Sequence, residues 1–168
     1  MKHKALWFFG LAVLVFALDQ SAKLIALANL QVGRVQPFIG DLVRLTLAFN
    51  DSAAFSIGFG VTWIFALTST AAAITLIWYF KKIETTGWAI MGGFLLGGIC
   101  GNLLDRFTQA PYFGSGKVVD YLVIPFNFPI FNIADMAISI MISLTVIRLL
   151  RGEQIGRAKA TKTSTAND

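Results

Sequence analysis

Asp19, Asp105, Asp120 and Asp135 stand inside or directly beside long apolar runs, where a charge is expensive. A carboxylate at such a position either pairs with a cation or serves a site. Asp19 and Lys23 are spaced i,i+4 with the acid first, the better order for a helical pair, and are read as a structural salt bridge. Asp120 and Asp135 share no helix face with a basic residue. Two such carboxylates at one site would share a proton, because ionising one disfavours ionising the other. One could then act as base toward a water while the other, protonated, donates to a scissile carbonyl oxygen. The pair would titrate as a unit. The same positions also suit a plainer reading, with Asp135 capping backbone amides at the start of a helix. Spacing alone admits both.

Asn102 and Arg106 lie one helical turn apart and could offer an amide and a guanidinium fork to the backbone of an extended peptide. Gly93, Gly97 and Gly101 form a small-xxx-small stripe suited to close helix packing. Asp105 continues that stripe, which predicts a place in a crowded helix contact where it orients partners. Other chemistries are poorly supplied. His3 is the only histidine, so a histidine-dependent triad or a His-rich zinc site is not available. Neither GxxxxGK[ST] nor GxGxxG occurs. Cys100 is the single cysteine and reads as a small core residue. Ser21 with Lys23, and Ser115 with Lys117, are only i,i+2 and face apart on a helix.

The elements that must position these groups are membrane helices. Of the 168 residues, 56% are hydrophobic and 14% charged. Runs at 4–30, 61–80, 88–104 and 130–150 match the ~20 apolar residues needed to cross a bilayer. The first carries Asp19 and Lys23 and lacks a small-residue cleavage site, so it reads as a retained helix rather than a cleaved signal. At ~1.5 Å rise per residue, Asp19, Asp105 and Asp135 all lie roughly 20–25 Å from the opposite helix ends. Asp120, in the loop before the last helix, can descend to the same level.

The net charge of +5 is topological. Lys2, Lys4, Lys81, Lys82, Arg148, Arg151, Arg157, Lys159 and Lys162 fall at one set of helix ends, which the positive-inside rule makes cytoplasmic, together with both termini. No nucleic-acid footprint is implied. Segments 31–60 and 106–129 then lie outside. Alternation over 43–49 predicts a half-buried strand in a small antiparallel sheet on the outer membrane surface, with a further short strand at 117–124. Residues 1–151 read as one membrane-embedded domain, and the polar residues 152–168 as a disordered cytoplasmic tail.

The motifs LDQSAK (18–23), FNDSAAFS (49–56), GGICGNLLDR (97–106), VVDYL (118–122) and FNIADMAIS (131–139) occur in the order seen in the bacterial lipoprotein signal peptidases, and the chain resembles that family over about 120 residues. The resemblance implies four helices with both termini cytoplasmic and an outer β-cradle, in the bacterial inner membrane. It implies cleavage of a prolipoprotein just before its diacylglyceryl-modified cysteine, without metal or cofactor. The catalytic aspartates would be Asp120 and Asp135, with Asn50, Asn102, Arg106 and Asn132 contacting substrate and Asp19, Lys23 and Asp105 supporting. Membrane lipid and peptide-like inhibitors of the globomycin type are the implied further partners. Ser52 departs from the pattern where Gly is usual, as do Ala22 and Met136 where Ser is common. Ser52 bears on the loop turn, because Gly permits backbone angles that Ser resists.

Two other classes remain to be weighed. An ion-coupled transporter or channel also carries intramembrane acids, but at several depths or at broken helices. A non-catalytic scaffold would leave Asp120 and Asp135 without a purpose.

Overall fold

A computed structural model describes residues 2–51 and 62–157. Its helices are α1 (Lys2–Asn29), α2 (Thr62–Tyr79, extended by a 3-10 turn, Phe80–Lys82), α3 (Thr86–Thr108) and α4 (Ile133–Leu150). All four are long and apolar enough to cross a membrane. Strands β1 (Gln36–Ile39), β2 (Val43–Asn50) and β3 (Val118–Val123) form one antiparallel sheet in the order β1-β2-β3. The expected membrane α-helical fold with a small antiparallel sheet is therefore observed.

Each helix buries a stripe and turns apolar residues outward, as lipid demands. Leu6, Val13, Leu18 and Leu24 of α1 and Trp63, Leu67, Ile74 and Trp78 of α2 are all exposed. The buried residues of α1 are Phe8, Ala12, Val15, Asp19, Lys23 and Ala26, at steps of three and four. That is a single helix face, so the ion pair lies on the packed side. The face seats on the glycine stripe of α3. A Cβ at Gly93 would lie 2.5 Å from the Phe8 carbonyl oxygen, one at Gly97 2.6 Å from that of Ala12, and one at Gly101 2.5 Å from Asp19 Oδ2. Gly98 faces the other way, toward the Ala134 carbonyl of α4. Helix α3 is thus the central post, with α1 and α4 drawn in close by missing side chains.

Some boundaries differ from expectation. Helix α3 runs to Thr108 instead of ending at 104, so Asp105 and Arg106 sit on a continuous helix. Helix α4 begins at Ile133 rather than 130. Phe131 is held instead by an antiparallel bridge to Leu122, and Asn132 serves as the cap. Strand β1 carries Pro37 at the sheet edge, where a missing N–H is tolerated. Residues 152–157, expected in a disordered tail, fold back against the end of α2. Tyr79 Oη donates to the Ile155 carbonyl at 3.0 Å, Glu84 N to that of Gly156 at 2.6 Å, and Arg148 pairs with Glu153 at 2.7 Å. The rest of that expected tail, 158–168, lies outside the described residues, as do Ser52 and the rest of its motif through Ser56.

Candidate active site

Strand β3 delivers Asp120. Its register places Asp120 opposite Ala48 and Val118 opposite Asn50. Asp120 is 1% exposed, and both its oxygens receive amide hydrogens: Oδ1 from Asn132 Nδ2 at 2.6 Å and Oδ2 from Asn50 Nδ2 at 2.9 Å. Burial raises the Asp120 carboxyl, and the nearby Asp135 charge raises it further. The two asparagine donors and Lys23 pull the other way, and the group is left at about 7.

The first turn of α4 delivers Asp135. Asn132 is the N-cap: its Oδ1 accepts from Asp135 N at 2.9 Å, and Asp135 Oδ2 accepts from Asn132 N at 3.2 Å. This reciprocal capping box satisfies two amides that a helix start leaves open. Asp135 Oδ1 remains for another partner, and takes a hydrogen from Asn102 Nδ2 at 2.7 Å. Asp135 therefore caps the helix with one oxygen while it faces Asp120's neighbours with the other, so the two readings left open by its sequence are compatible.

Beneath the two carboxylates lies a buried ion cluster. Lys23 Nζ is 2.8 Å from Asp19 Oδ2, 2.8 Å from Asp105 Oδ2 and 2.9 Å from Asn102 Oδ1. The expected pair Asp19–Lys23 is thus a triad with Asp105. Both acids also reach backbone, Asp19 through its second oxygen and Asp105 through the same oxygen that holds Lys23. Asp19 Oδ1 accepts from Ala134 N at 2.9 Å, and Asp105 Oδ2 accepts from Val119 N at 3.0 Å. Ala134 and Val119 each directly precede one of the two carboxylates, Asp135 and Asp120. Asp105 lies in a tight helix contact, as its place after the glycine stripe suggests.

A cavity of about 590 Å³ opens beside the pair, lined among others by Asn50, Asn102, Arg106, Asp120 and Asp135. Arg106 lies over the Phe65 ring, 5.2 Å from its centroid. Asn132 is fully buried behind Asp120 and ties it to Asn102, donating to Asn102 Oδ1 at 3.1 Å. The nine site residues that the family resemblance implies are thus gathered on this cavity or directly behind it.

Ser115 and Lys117 do not line the cavity; Lys117 pairs with Asp51 at 3.3 Å. All three ammonium hydrogens of Lys23 have acceptors, which leaves it no role as base for Ser21. The sequence reading missed Gln20. Its Nε2 donates to the Gly101 carbonyl at 3.0 Å and to Asp105 Oδ1 at 3.2 Å, fastening α1 to α3. Its place beside Asp19, one residue off the buried acid, was the available signal. Ser69 of α2 and Ser139 of α4 also line the cavity and were missed, because single serines in apolar helices carry no pattern.

The chain is similar in sequence and in fold to known proteins. The model of the family described as signal peptidase (SPase) II matches residues 11–151. The chain is 44% identical over 141 residues to the lipoprotein signal peptidase of Leifsonia xyli subsp. xyli, covering 84% of this chain and 65% of that protein's length. It is 38% identical over 154 residues to the lipoprotein signal peptidase of Mycobacterium leprae, covering 90% of this chain and 76% of that protein. A bacterial membrane enzyme structure solved by the in meso method at 2.3 Å resolution superposes with a TM-score of 0.77 at 29% identity, covering 90% of this chain and 92% of the other.

Proposed function

The chain belongs to the signal peptidase II family, and from that premise we propose that it is an aspartic endopeptidase that removes the signal peptide of prolipoproteins just before a diacylglyceryl-modified cysteine. The observation that carries the reading is the meeting of Asp120 and Asp135 on one cavity, each held by asparagine amides. A transporter would need acids along a path. Here the acids and amides collect at one level, around a space sized for a short stretch of peptide.

The substrate peptide enters from the membrane plane, with its lipid chains left in the bilayer beside the helices. Their binding positions the scissile bond against the carboxylates. The dyad holds one proton between Asp120 and Asp135. The ionised carboxylate takes a proton from the attacking water while the protonated one donates to the carbonyl oxygen, giving a tetrahedral diol that collapses with proton return to the leaving amine. Asn102 and Arg106 contact the peptide backbone, while Asn50 and Asn132 fix Asp120. Peptide-like inhibitors of the globomycin type would occupy the same cavity. The protein crosses the membrane several times. The basic helix ends at Lys2, Lys4, Lys81, Lys82, Arg148 and Arg151 favour a bacterial inner membrane with those ends cytoplasmic.

The test is cleavage of a diacylglyceryl-modified precursor by purified protein and by Asp120→Asn and Asp135→Asn. Asn keeps the shape but cannot take or give the proton, so each should lose at least about 100-fold in rate while remaining folded and inserted. Near-native turnover from either variant defeats the dyad. Absence of cleavage by the folded native protein defeats the peptidase reading.

A further inference from the structure

Asn102 Oδ1 accepts from Lys23 Nζ at 2.9 Å and from Asn132 Nδ2 at 3.1 Å, which leaves Asn102 Nδ2 to donate to Asp135 Oδ1 at 2.7 Å. An amide can be turned end for end with little change in shape, so its neighbours must decide its direction. An ammonium has donors and no acceptor, so the end of Asn102 that touches Lys23 has to be the oxygen. We propose that Lys23 is a positioning residue for the cleavage reaction: its ammonium fixes which end of the Asn102 amide faces Asp135. The inference rests on the aspartic peptidase reading and adds a control over the dyad from a helix that does not carry either carboxylate.

The ammonium is itself rigidly placed. Two of its hydrogens are spent on Asp19 and Asp105, at 2.8 Å each, and the third on Asn102. Lys23 is 2% exposed, which keeps bulk solvent from the contact. The two acids that grip it also grip the backbone amides of Ala134 and Val119, one residue before each carboxylate of the dyad. One cation therefore registers α1, α3, β3 and the head of α4 to the same point. With the amide's nitrogen end presented, Asn102 donates to an ionised Asp135. With its oxygen end presented, it could only accept from a protonated one. Removing the ammonium leaves a single donor, Asn132, to oppose that reversal. The other charged groups around the pair are Asp19 on α1, Asp105 and Arg106 on α3, and Asp51 at the end of β2.

The experiment compares pH–rate profiles for cleavage of a diacylglyceryl-modified precursor, with thermal midpoints measured in parallel. The test variant is Asp19→Asn/Lys23→Met. It leaves one buried carboxylate, the same local net charge as the native triad, and the new amide oxygen can still accept from Ala134 N. We expect kcat to fall at least about tenfold with KM little changed, and the acid limb of the profile to move up by about one pH unit. Asp19→Asn alone keeps the ammonium on Asn102 and removes a negative charge that faces the pair, so its acid limb should not move up. Lys23→Arg, which retains a cation with donors, should keep the native acid limb, even at reduced rate. An acid limb that stays native in the folded double variant overturns the proposal, as does a rate loss in both Asp19 variants that simply follows the thermal midpoint. If the double variant does not fold, Lys23→Arg decides, since a shifted acid limb there is equally fatal. Asp120→Asn run alongside separates the two readings. Activity surviving in that variant defeats the aspartic mechanism, whereas its loss beside an unshifted lysine profile defeats only the positioning role.

Discussion

Asn132 and Asp135 cap one another at the head of α4, side chain to backbone in both directions, at 2.9 and 3.2 Å. The same Asn132 side chain spends its nitrogen on Asp120 Oδ1 at 2.6 Å. The helix cap and the proposed dyad are therefore one structure. The turn that starts the last membrane helix also sets where the second carboxylate stands relative to the first.

This makes stability and activity separable at position 132. Asn132→Ala removes the cap and should cost about 1 kcal/mol of stability, together with most activity. Asn132→Ser restores a good N-cap but is too short to reach Asp120. Its thermal midpoint should recover toward native while cleavage stays at least about tenfold low. Equal recovery of both would mean that the asparagine matters only as a cap.

The buried Asp120 predicts a pH signature in stability. Its folded value of about 7 lies above the ~3.9 of an unfolded aspartate. Between those limits the folded chain keeps a proton there that the unfolded chain has lost. This group's contribution to stability therefore falls as pH rises from about 4 to about 7, by up to about 4 kcal/mol, and changes no further above that. Thermal midpoints in detergent across this window should fall more steeply for the native protein than for Asp120→Asn. Parallel slopes would show that burial does not hold the proton on Asp120.

How far these features were legible in the sequence follows from the range of each interaction. The level of Asp19, Asp105 and Asp135 follows from helix rise alone, and the Asp19–Lys23 pair from i,i+4 spacing. The Gly93, Gly97 and Gly101 stripe foretold a close helix contact for the same reason, each signal being periodic within one helix, but not that α1 would fill it. Strand β2 was readable from its alternation, whereas Gln36–Ile39, with Pro37 inside it, carries no period. The start of α4 was misplaced because apolar residues at 130 and 131 look helical until the bridge from Phe131 to Leu122 is known. The capture of Lys23 by Asp105, and of the Val119 amide by the same acid, joins residues on different elements. Only the folded packing reveals such partners.

Cleavage should be indifferent to chelators and to thiol-directed reagents. Cys100 does not line the cavity, and the proposed chemistry needs only the two carboxylates and water. Rates with excess EDTA, and after treatment with a maleimide, should stay within about twofold of untreated protein. Loss of activity with EDTA that zinc restores would require a different mechanism.

Arg106 and Asn102 offer the sharpest test of how substrate is held. They stand one turn apart on α3 and both line the cavity. The plainest alternative role for Arg106, pairing with its neighbour Asp105, is weakened by geometry, since Asp105 is committed to Lys23, Gln20 and the Val119 amide. A guanidinium presents several donors in a fixed planar fork and can lie flat on a ring, as Arg106 does over Phe65. Lysine keeps the charge and loses both properties. Arg106→Lys should therefore slow cleavage by about tenfold or more and weaken a peptide-like inhibitor, with a thermal midpoint near native. Asn102→Ala should weaken the same inhibitor by about tenfold, the order expected for a lost hydrogen bond in a desolvated site, and by more than its change in stability predicts. Binding titrations of the inhibitor decide. Native affinity in both variants would remove these residues from the substrate clamp and leave Arg106 a packing role over Phe65.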